Sequence, residues 1–561
     1  MVVELYVDMI SQPSRSLVLF LNNTDIPFEV KNVELFSGEH KKPEFAEITP
    51  LQTVPAIKDG DFSMGETIAI IRYLTTKYAD KVADHWYPKD LEKRARADEY
   101  LSFHHSGTRG ACMDIFYSEV LLPFYTGKTA SEERIQRDLD KLKTQLDKLE
   151  RAFLRDNKFL LGDEISIADV LAVPEITQCL TSDRDVTEGR PKLKAYVERV
   201  KERLNPLYDE VHVPLFEWKD TLKIRDNCII SVPFLFNDLP ARRKPTLCLL
   251  ICMHANFLNR SEETTSGRTQ VTFDEPFKTL GHSASEFIAR SPRYGTDHPL
   301  LTPPHHHLQR AATTPKPSPL TPSLSPRISG STATIATMTI ELYVDLRSQP
   351  CRALLMFLKL SEIPHEVKYV DLFKGEHKSP KFSAKIPLQT VPAMTDGDFV
   401  LCETVAIFRY LTSKYKGKFA DNWYPADIKK RAKVDEYMAF HHGGTRGVCV
   451  PLFVSEVLIP MSTGKPVDAD KVKEQVEKLN ASLEKIEKNF LKDNQYLCGD
   501  EASFADIEAA CEFMQFVVNA RDILGGRPLL KAYLERVKTR LNPVFDEVNS
   551  KLYEWRDNYK K

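Results

Sequence analysis

Val3-Glu-Leu-Tyr-Val7-Asp-Met-Ile-Ser11-Gln-Pro13-Ser-Arg15 is the stretch that decides the fold. The apolar alternation over residues 3–7 predicts a β-strand. A short polar loop follows, and the proline, which is favoured at the first positions of a helix, predicts that a helix begins there. The stretch therefore places Ser11 beside a helix N-terminus, where unpaired backbone N–H groups and the helix dipole favour an anion. The alternative is that Ser11 only caps the helix.

The same stretch occurs a second time, as Val344-Asp-Leu-Arg-Ser348-Gln-Pro350-Cys-Arg352. Pro50-Leu-Gln-Thr-Val-Pro55 likewise recurs at 387–392, and both motifs return after 337 positions. A constant offset over more than 200 residues predicts two complete folding units, because the repeats of a solenoid would be about 20 to 50 residues long. We refer to these units as copy 1 and copy 2.

The composition is typical of a soluble globular protein. The 561 residues are 42% hydrophobic and 28% charged, with a formal net charge of −2. So small a charge disfavours nucleic acid or acidic lipid as a partner. The first residues do not resemble a signal peptide, and the longest apolar run is shorter than the roughly 20 residues of a membrane helix. Ten cysteines without metal-type spacing favour a cytoplasmic protein with reduced thiols and no metal site.

Each copy divides into two parts with different patterns. Short strands and helices in the order β-α-β and then β-β-α, with a tight turn at Gly60-Asp61, predict a small mixed sheet. After about residue 91 the strands disappear, and apolar positions with a 3.6-residue period predict packed helices. The predicted fold class is α+β followed by all-α. The predicted mixed domains are 1–80 and 338–417, and the predicted helical domains are 88–227 and 425–561.

Residues 228–337 have a different character. Their second half is rich in Pro, Ser, Thr and His, a composition that predicts a disordered linker. An alternative is that two adjacent genes were joined when the sequence was predicted, and the sequence leaves both interpretations open. A flexible linker of 110 residues would have a root-mean-square span of about 60 Å. Such a span permits the two copies to pair within one chain, as an alternative to a homodimer of two chains.

Three further motifs occur in both copies and suit a ligand with a free amino acid at one end, an amide in the middle and a second carboxylate. A cis-proline turn at Val54-Pro55 would leave the backbone of Val54 free to pair with an extended peptide. Glu66-Thr67 opens another helix, suited to a carboxylate and an ammonium group. His40-Lys41 supplies hydrogen-bond donors in a loop. The equivalent residues of copy 2 are Val391, Glu403, Thr404, His377 and Lys378.

Both copies resemble cytosolic glutathione S-transferases, most closely the theta class. The resemblance rests on Ser-Gln-Pro-Ser-Arg at 11–15 and on Asp-Gly-Asp-Phe at 59–62, which is followed by Glu-Thr. Ser166-Ile-Ala-Asp169, repeated as Ser503-Phe-Ala-Asp506, resembles the buried capping box of this family's helical domain. The resemblance covers about 220 residues of each copy and nothing in 228–337.

The resemblance implies a thioredoxin-like domain fused to an all-helical domain, with glutathione as co-substrate and no other cofactor. Ser11 and Ser348 would be the catalytic residues, each hydrogen-bonded to the glutathione sulfur. Relatives often have lysine where Thr53 and Thr390 stand, so the glycine carboxylate is expected to depend more on Gln52, Gln389 and the histidines. The implied glutathione-binding residues are His40, Lys41, Gln52, Val54, Glu66 and Thr67 in copy 1, and His377, Lys378, Gln389, Val391, Glu403 and Thr404 in copy 2.

The implied chemistry depends on the acidity of a thiol. A free thiol has a pKa of about 8.5, and the thiolate is the nucleophile. Lowering this pKa by about 2 units requires roughly 2.7 kcal/mol of preferential thiolate stabilisation. One charge-assisted hydrogen bond, worth about 1.5 to 3 kcal/mol, together with a helix N-terminus could supply it. The serine would then act as a hydrogen-bond donor, and neither as a base nor as a covalent nucleophile.

The electrophile site is less well specified by the sequence. Arg109 and Arg446 could steady a leaving group such as halide or sulfate, or could instead form hydrogen bonds between domains. Cys351 either packs in the core or supports a minor reductase activity. The expected function is conjugation of glutathione to small hydrophobic electrophiles such as alkyl halides, with minor peroxidase activity. The alternatives are a non-catalytic scaffold and a ligandin-like carrier of apolar compounds.

Overall fold

A computed structural model of the chain describes residues 2–231 and 339–559. The predicted disordered linker therefore lies outside the described residues, except for 228–231, which form the end of a helix that begins at Leu207. Both copies belong to one compact unit, and each has a large hydrophobic core to which a few buried residues of the other copy contribute.

The N-terminal domain of copy 1 is built on a four-stranded sheet, as the sequence predicts. The strand order is β2-β1-β3-β4, with β1 parallel to β2 and the other pairs antiparallel. The strands are β1 Val3–Val7, β2 Phe28–Asn32, β3 Ala56–Asp59 and β4 Phe62–Gly65. The helices are α1 Gln12–Asn22, α2 Pro43–Ile48 and α3 Thr67–Lys77, with a 3-10 turn at Glu39–Lys41.

The second domain of copy 1 consists of helices in the part of the chain that the structure describes, again as predicted. Its helices are α4 Leu91–Ser106, α5 Thr108–Phe116, α6 Leu122–Thr126, α7 Glu132–Lys148, α8 Ile167–Gln178, α9 Pro191–Leu204 and α10 Leu207–Ser231. Two π-helical turns, Tyr117–Leu121 and Leu149–Leu154, follow α5 and α7.

Copy 2 repeats this arrangement. Its strands are β5 Ile340–Val344, β6 His365–Tyr369, β7 Ala393–Asp396 and β8 Phe399–Cys402. Its helices are α11 Gln349–Leu360, α12 Pro380–Lys385, α13 Thr404–Lys414, α14 Ile428–Gly443, α15 Thr445–Phe453, α16 Ile459–Thr463, α17 Ala469–Ile486, α18 Phe504–Met514, α19 Pro528–Leu541 and α20 Val544–Tyr559.

The predicted capping boxes are present at the starts of α8 and α18. In copy 1 the fully buried Asp169 carboxylate accepts hydrogen bonds from the backbone N–H groups of Leu160 and Ser166, at 2.9 and 2.8 Å. It also accepts a hydrogen bond from the Tyr196 hydroxyl at 2.9 Å. These bonds satisfy the buried carboxylate and connect α8 to α9.

The two copies pack against each other through helices α3 and α4 of copy 1 and helices α13 and α14 of copy 2. Helix α3 of copy 1 lies on α14 of copy 2, and α13 of copy 2 lies on α4 of copy 1. At the centre, the rings of His105 and His442 stack with their centroids 4.6 Å apart. Beside them, Arg72 donates to Asp98 at 2.7 Å, and Arg409 bridges Asp98 and Asp435 at 3.0 and 2.8 Å. The contact is therefore a pseudo-symmetric interface with a charged centre.

One stretch of the described residues, Ile428–Thr463, is long and apolar enough by length and composition to cross a membrane. Core helices of soluble proteins meet the same criterion. Tyr437, Met438 and Cys449 of this stretch are fully buried in the core of copy 2, so packing within the protein accounts for part of its apolar character.

Candidate functional site

The register of the sheet brings three separate sequence motifs to one edge of each N-terminal domain. Tyr6, near the end of β1, pairs with Ala56 at the start of β3, and Ala56 pairs with Gly65 at the end of β4. The loop that holds Ser11, the Val54-Pro55 turn and Glu66 therefore meet at this edge. In copy 2, Tyr343, Ala393 and Cys402 have the same register.

Ser11 and Ser348 immediately precede α1 and α11, as predicted. Both adopt an extended backbone conformation, and neither side chain caps its helix. The alternative interpretation of these serines as caps is therefore not supported. Each hydroxyl lies beside a helix N-terminus, and the Ser348 hydroxyl also interacts with the Cys351 thiol. A donor in that place can stabilise an anion.

A buried arginine holds the loop in front of each serine. The Arg15 guanidinium, fully buried, donates to the carbonyl oxygens of Met9 and Ile10 at 2.7 and 3.0 Å. Arg352 does the same with Leu346 and Arg347, at 3.0 and 3.2 Å. Burial lowers the pKa of Arg15 to about 10, so its charge remains at neutral pH. Each arginine thus fixes the serine loop and places a positive charge beneath it.

The proline turns have the predicted conformation. The Val54–Pro55 and Val391–Pro392 peptide bonds are both cis. Among the described residues, the backbone N–H and C=O groups of Val54 and Val391 make no hydrogen bond to the rest of the chain. An extended peptide could therefore pair with them.

Glu66 and Glu403 lie between a strand and the following helix, with positive φ angles of 64° and 68°. Burial, and then the neighbouring carboxylate of Glu436, raises the pKa of Glu66 to about 7. Burial and Glu99 likewise raise the pKa of Glu403 to about 7. Among the described residues, Glu66 and Glu403 form no salt bridge, and the cations that influence them act only at longer range. Such a carboxyl group suits an ammonium ligand.

The other copy supports each of these glutamates, and sequence reasoning missed this. Glu436 of copy 2 accepts a hydrogen bond from the backbone N–H of Gly65 at 2.6 Å. Glu99 of copy 1 accepts one from the backbone N–H of Cys402 at 2.7 Å. The available signal was the repeated motif Asp-Glu-Tyr at 98–100 and 435–437, which places two carboxylates in an otherwise apolar part of a helix.

His40 and Lys41 lie in the 3-10 turn next to the loop that contains Gln52. Lys41 Nζ donates to the Gln52 carbonyl oxygen at 3.3 Å, and Gln389 in copy 2 donates to Ser383 Oγ at 2.7 Å. Burial, followed by the charge of Lys41, lowers the pKa of His40. His40 is therefore neutral at pH 7 and would serve as a hydrogen-bond donor rather than a cation.

Arg109 and Arg446 are held by buried glutamates. Arg109 Nη1 donates to Glu175 Oε1 at 2.6 Å, and also to the side chain of Gln12, the residue after Ser11. Arg446 donates to Glu512 at 2.5 Å. In copy 1 this contact joins the helical domain to the serine loop, as the interdomain alternative expects. A role in binding a leaving group stays a prediction.

Cys351 is fully buried, and burial raises its pKa to about 12. A thiol with so high a pKa is a poor nucleophile at neutral pH. The packing interpretation of Cys351 is therefore favoured over reductase chemistry.

Aromatic side chains next to the serine loop differ between the copies. In copy 1, the Phe36 ring stacks on Trp218 at 5.1 Å and lies 5.0 Å from Phe124. The positions of Phe124 and Tyr125 are occupied in copy 2 by Met461 and Ser462. There, the guanidinium of Arg347 lies 4.0 Å above the ring of Phe373, the counterpart of Phe36. Copy 1 therefore presents a more aromatic surface beside its serine than copy 2 does.

The pKa values of Glu66 and Glu403 predict how ligand binding depends on pH. Below pH 7 both carboxyl groups take up a proton and lose their attraction for an ammonium group. We expect the Kd of S-methylglutathione, which has no ionisable thiol, to rise by up to about tenfold between pH 8 and pH 6. Isothermal titration calorimetry measures this. In Glu66→Gln/Glu403→Gln the dependence should disappear, and an unchanged pH profile in that variant would contradict the assignment.

Comparisons with known proteins agree with this arrangement. The family described as "Glutathione S-transferase, N-terminal domain" matches residues 5–82 and 342–419. The family described as "Glutathione S-transferase, C-terminal domain" matches residues 113–203 and 450–540. Together these matches cover more than half of the chain.

Individual relatives match one copy at a time. Glutathione S-transferase theta-1 of Homo sapiens is 41% identical over 218 residues, which are 39% of this chain and 90% of the relative. The theta-1 protein of Bos taurus is 42% identical over 219 residues, with the same coverage. A crystal structure of human glutathione transferase theta-2 in complex with glutathione and an unknown ligand is 34% identical, with a TM-score of 0.38, and covers 45% of this chain and 98% of that chain.

Proposed function

The chain belongs to the glutathione S-transferase family as a theta-like member with two copies in tandem, and we propose that each copy conjugates the glutathione thiolate to small hydrophobic electrophiles. One observation carries the proposal. The sheet register brings a serine hydroxyl at a helix N-terminus, an open backbone segment and a half-buried glutamate to one edge of the sheet. These three groups match the thiol, the central amide and the amino end of glutathione.

The serine hydroxyl would donate a hydrogen bond to the glutathione sulfur. The N-terminus of α1 and the buried Arg15 add positive potential at the same place. Together they favour the thiolate over the thiol, so that the sulfur can attack an electrophilic carbon while the halide or other leaving group departs. The backbone of Val54, the Glu66 carboxylate and the start of α3 would hold the peptide in position for this attack.

The difference between the two aromatic surfaces supports different electrophile preferences. Copy 1 would favour flat aromatic electrophiles, which can stack against Phe36 and Trp218. Copy 2, with Met461 and Ser462 in place of two aromatic rings, would favour smaller alkyl halides.

We expect this preference to appear when one copy is silenced at a time. Ser348→Ala leaves copy 1 to supply the turnover, and Ser11→Ala leaves copy 2. The ratio of kcat/KM for an aryl chloride to kcat/KM for an alkyl iodide should be several-fold higher in Ser348→Ala, in line with aromatic contacts of about 0.5 to 1.5 kcal/mol. Equal ratios would contradict the difference, and no conjugation in either variant or in the parent chain would contradict the proposed function.

We also infer that the two copies pair within one chain. The residues Asp98, Asp435, Arg72 and Arg409 form a charged centre between the copies, and each copy supports the Glu66 or Glu403 segment of the other. The flexible linker that the sequence predicts would keep the two copies close to each other, which favours pairing in cis. A peroxide-reducing activity and a cytoplasmic location are compatible with this proposal.

A further inference from the structure

A lysine of copy 1 lies at the edge of the candidate site of copy 2. Lys148 is the last residue of α7. Three residues later, Arg151 Nε donates a hydrogen bond to the carbonyl oxygen of Pro387 in copy 2, at 3.2 Å. Pro387 is two residues before Gln389, in the loop that leads to Val391. Arg151 lies in the π-helical turn that directly follows Lys148, so the Lys148 end of α7 is the part of the helix that meets this loop.

The ammonium group of Lys148 lacks an anionic partner. The side chain is half-buried, and among residues 2–231 and 339–559 no carboxylate lies within 4.0 Å of its Nζ. Burial lowers the pKa of Lys148, Glu403 raises it, and Arg151 and Lys378 lower it further. Lys148 is thus electrostatically close to residues of copy 2 that belong to the candidate glutathione site. The neighbours that influence its pKa are two cations, Arg151 and Lys378, and one carboxylate, Glu403.

A second group without a polar partner, in the side chain of His377, lies in copy 2. Its Nδ1 atom is buried and has no hydrogen-bond partner among the described residues. Burial, followed by the charges of Lys378 and Lys148, lowers the pKa of His377. An anion bound between His377, Lys378 and Lys148 would satisfy all three groups.

We propose that Lys148 of copy 1 binds the glycine carboxylate of the glutathione held by copy 2, so that this site is complete only when the two copies are paired. The inference rests on the proposed function and adds a residue to its site. The γ-glutamyl end of glutathione carries the ammonium group, so this end would bind Glu403, Thr404 and the start of α13. The glycine carboxylate is therefore the anion that fits the His377 side.

The equivalent site in copy 1 receives a weaker contribution from the opposite copy. Lys485 is exposed, although its charge reaches Lys41 and Glu66. Lys488, the counterpart of Arg151, pairs with Glu484 of its own helix at 2.5 Å. The contribution of the opposite copy should therefore be larger at the copy 2 site.

Kinetics with one copy silenced test the proposal in the full chain. In the Ser11→Ala background, where copy 2 supplies the turnover, Lys148→Gln should raise KM for glutathione about tenfold, with kcat within about twofold. The rise should be several-fold smaller in the Ser348→Ala background. With γ-glutamylcysteine, which lacks the glycine carboxylate, Lys148→Gln should change KM by less than about twofold. Lys143→Gln, an exposed lysine of the same helix, is the matched control.

The outcomes separate this proposal from the proposed function. If glutathione KM is unchanged by Lys148→Gln, or rises equally in both backgrounds, the assignment of Lys148 is overturned while the transferase function stands. If the chain conjugates no electrophile, calorimetry still decides, because Lys148→Gln should weaken glutathione at one of two sites. A parent chain that binds no glutathione overturns both.

Discussion

Replacing both serines by alanine should reduce conjugation about 100-fold while leaving the protein as stable as the parent. A drop of this size follows from the loss of roughly 2.7 kcal/mol of thiolate stabilisation. Ser11→Ala or Ser348→Ala alone should remove only the share of turnover that belongs to one copy. Steady-state kinetics of the two single variants and the double variant measure these shares.

The chain offers a matched control for the serine experiment. Ser131 also occupies the position just before a helix. Its hydroxyl accepts a hydrogen bond from the backbone N–H of Arg134 at 3.3 Å, whereas the side chains of Ser11 and Ser348 make no such capping bond. Ser131→Ala should lower the free energy of unfolding by about 1 kcal/mol and leave activity intact. If Ser11→Ala costs stability in the same way and spares activity, the serines are caps and the account of the thiolate is wrong.

Asp98→Asn should cost the protein about 3 kcal/mol or more in free energy of unfolding. Asp98 is 2% exposed, pairs with Arg72 of its own copy and pairs with Arg409 across the interface of the two copies. Burial alone would raise its pKa, but Arg409 and Arg72 hold the pKa below the usual value for an aspartate. Neutralising Asp98 leaves a buried positive charge uncompensated, which is the costly way to break an ion pair. Urea unfolding measures the loss.

Asp114→Asn is the matched control, because Asp114 and Lys141 form an ion pair at 2.6 Å in which both side chains are 42% exposed. It should cost less than about 1 kcal/mol. Asp98→Asn/Arg409→Gln should recover part of the loss, since it restores the charge balance. The parent chain should sediment at its own mass of 64.1 kDa. Twice that mass, or equal losses for Asp98→Asn and Asp114→Asn, would contradict pairing of the copies within one chain.

Much of the fold was predictable because it is encoded locally. Three features depend on only a few neighbouring residues each. They are the strand alternation at 3–7, the turn at Gly60-Asp61 and the capping box at Ser166. The cis peptide bond at Val54–Pro55 was expected for the same reason. Helix α2, at Pro43–Ile48, was not predicted, because six residues are too few for a helical period to be visible.

The parts of the site that join the copies could not be predicted from local patterns. Glu436 and Gly65 are 371 residues apart in the sequence, and no spacing rule connects them. Lys148 belongs to a helix rich in charged residues, where a single lysine is indistinguishable from the exposed ones around it. Only packing of the two copies shows that this lysine is half-buried and electrostatically coupled to residues of copy 2.

The pKa of the thiol of bound glutathione tests the central claim most directly. The thiolate absorbs in the ultraviolet, so titration of the full chain saturated with glutathione measures this pKa. We predict a pKa about 2 units below that of a free thiol, and its return towards the free value in Ser11→Ala/Ser348→Ala. A bound thiol that titrates like free glutathione in the parent chain, or that keeps its low pKa without the two serines, would contradict the account.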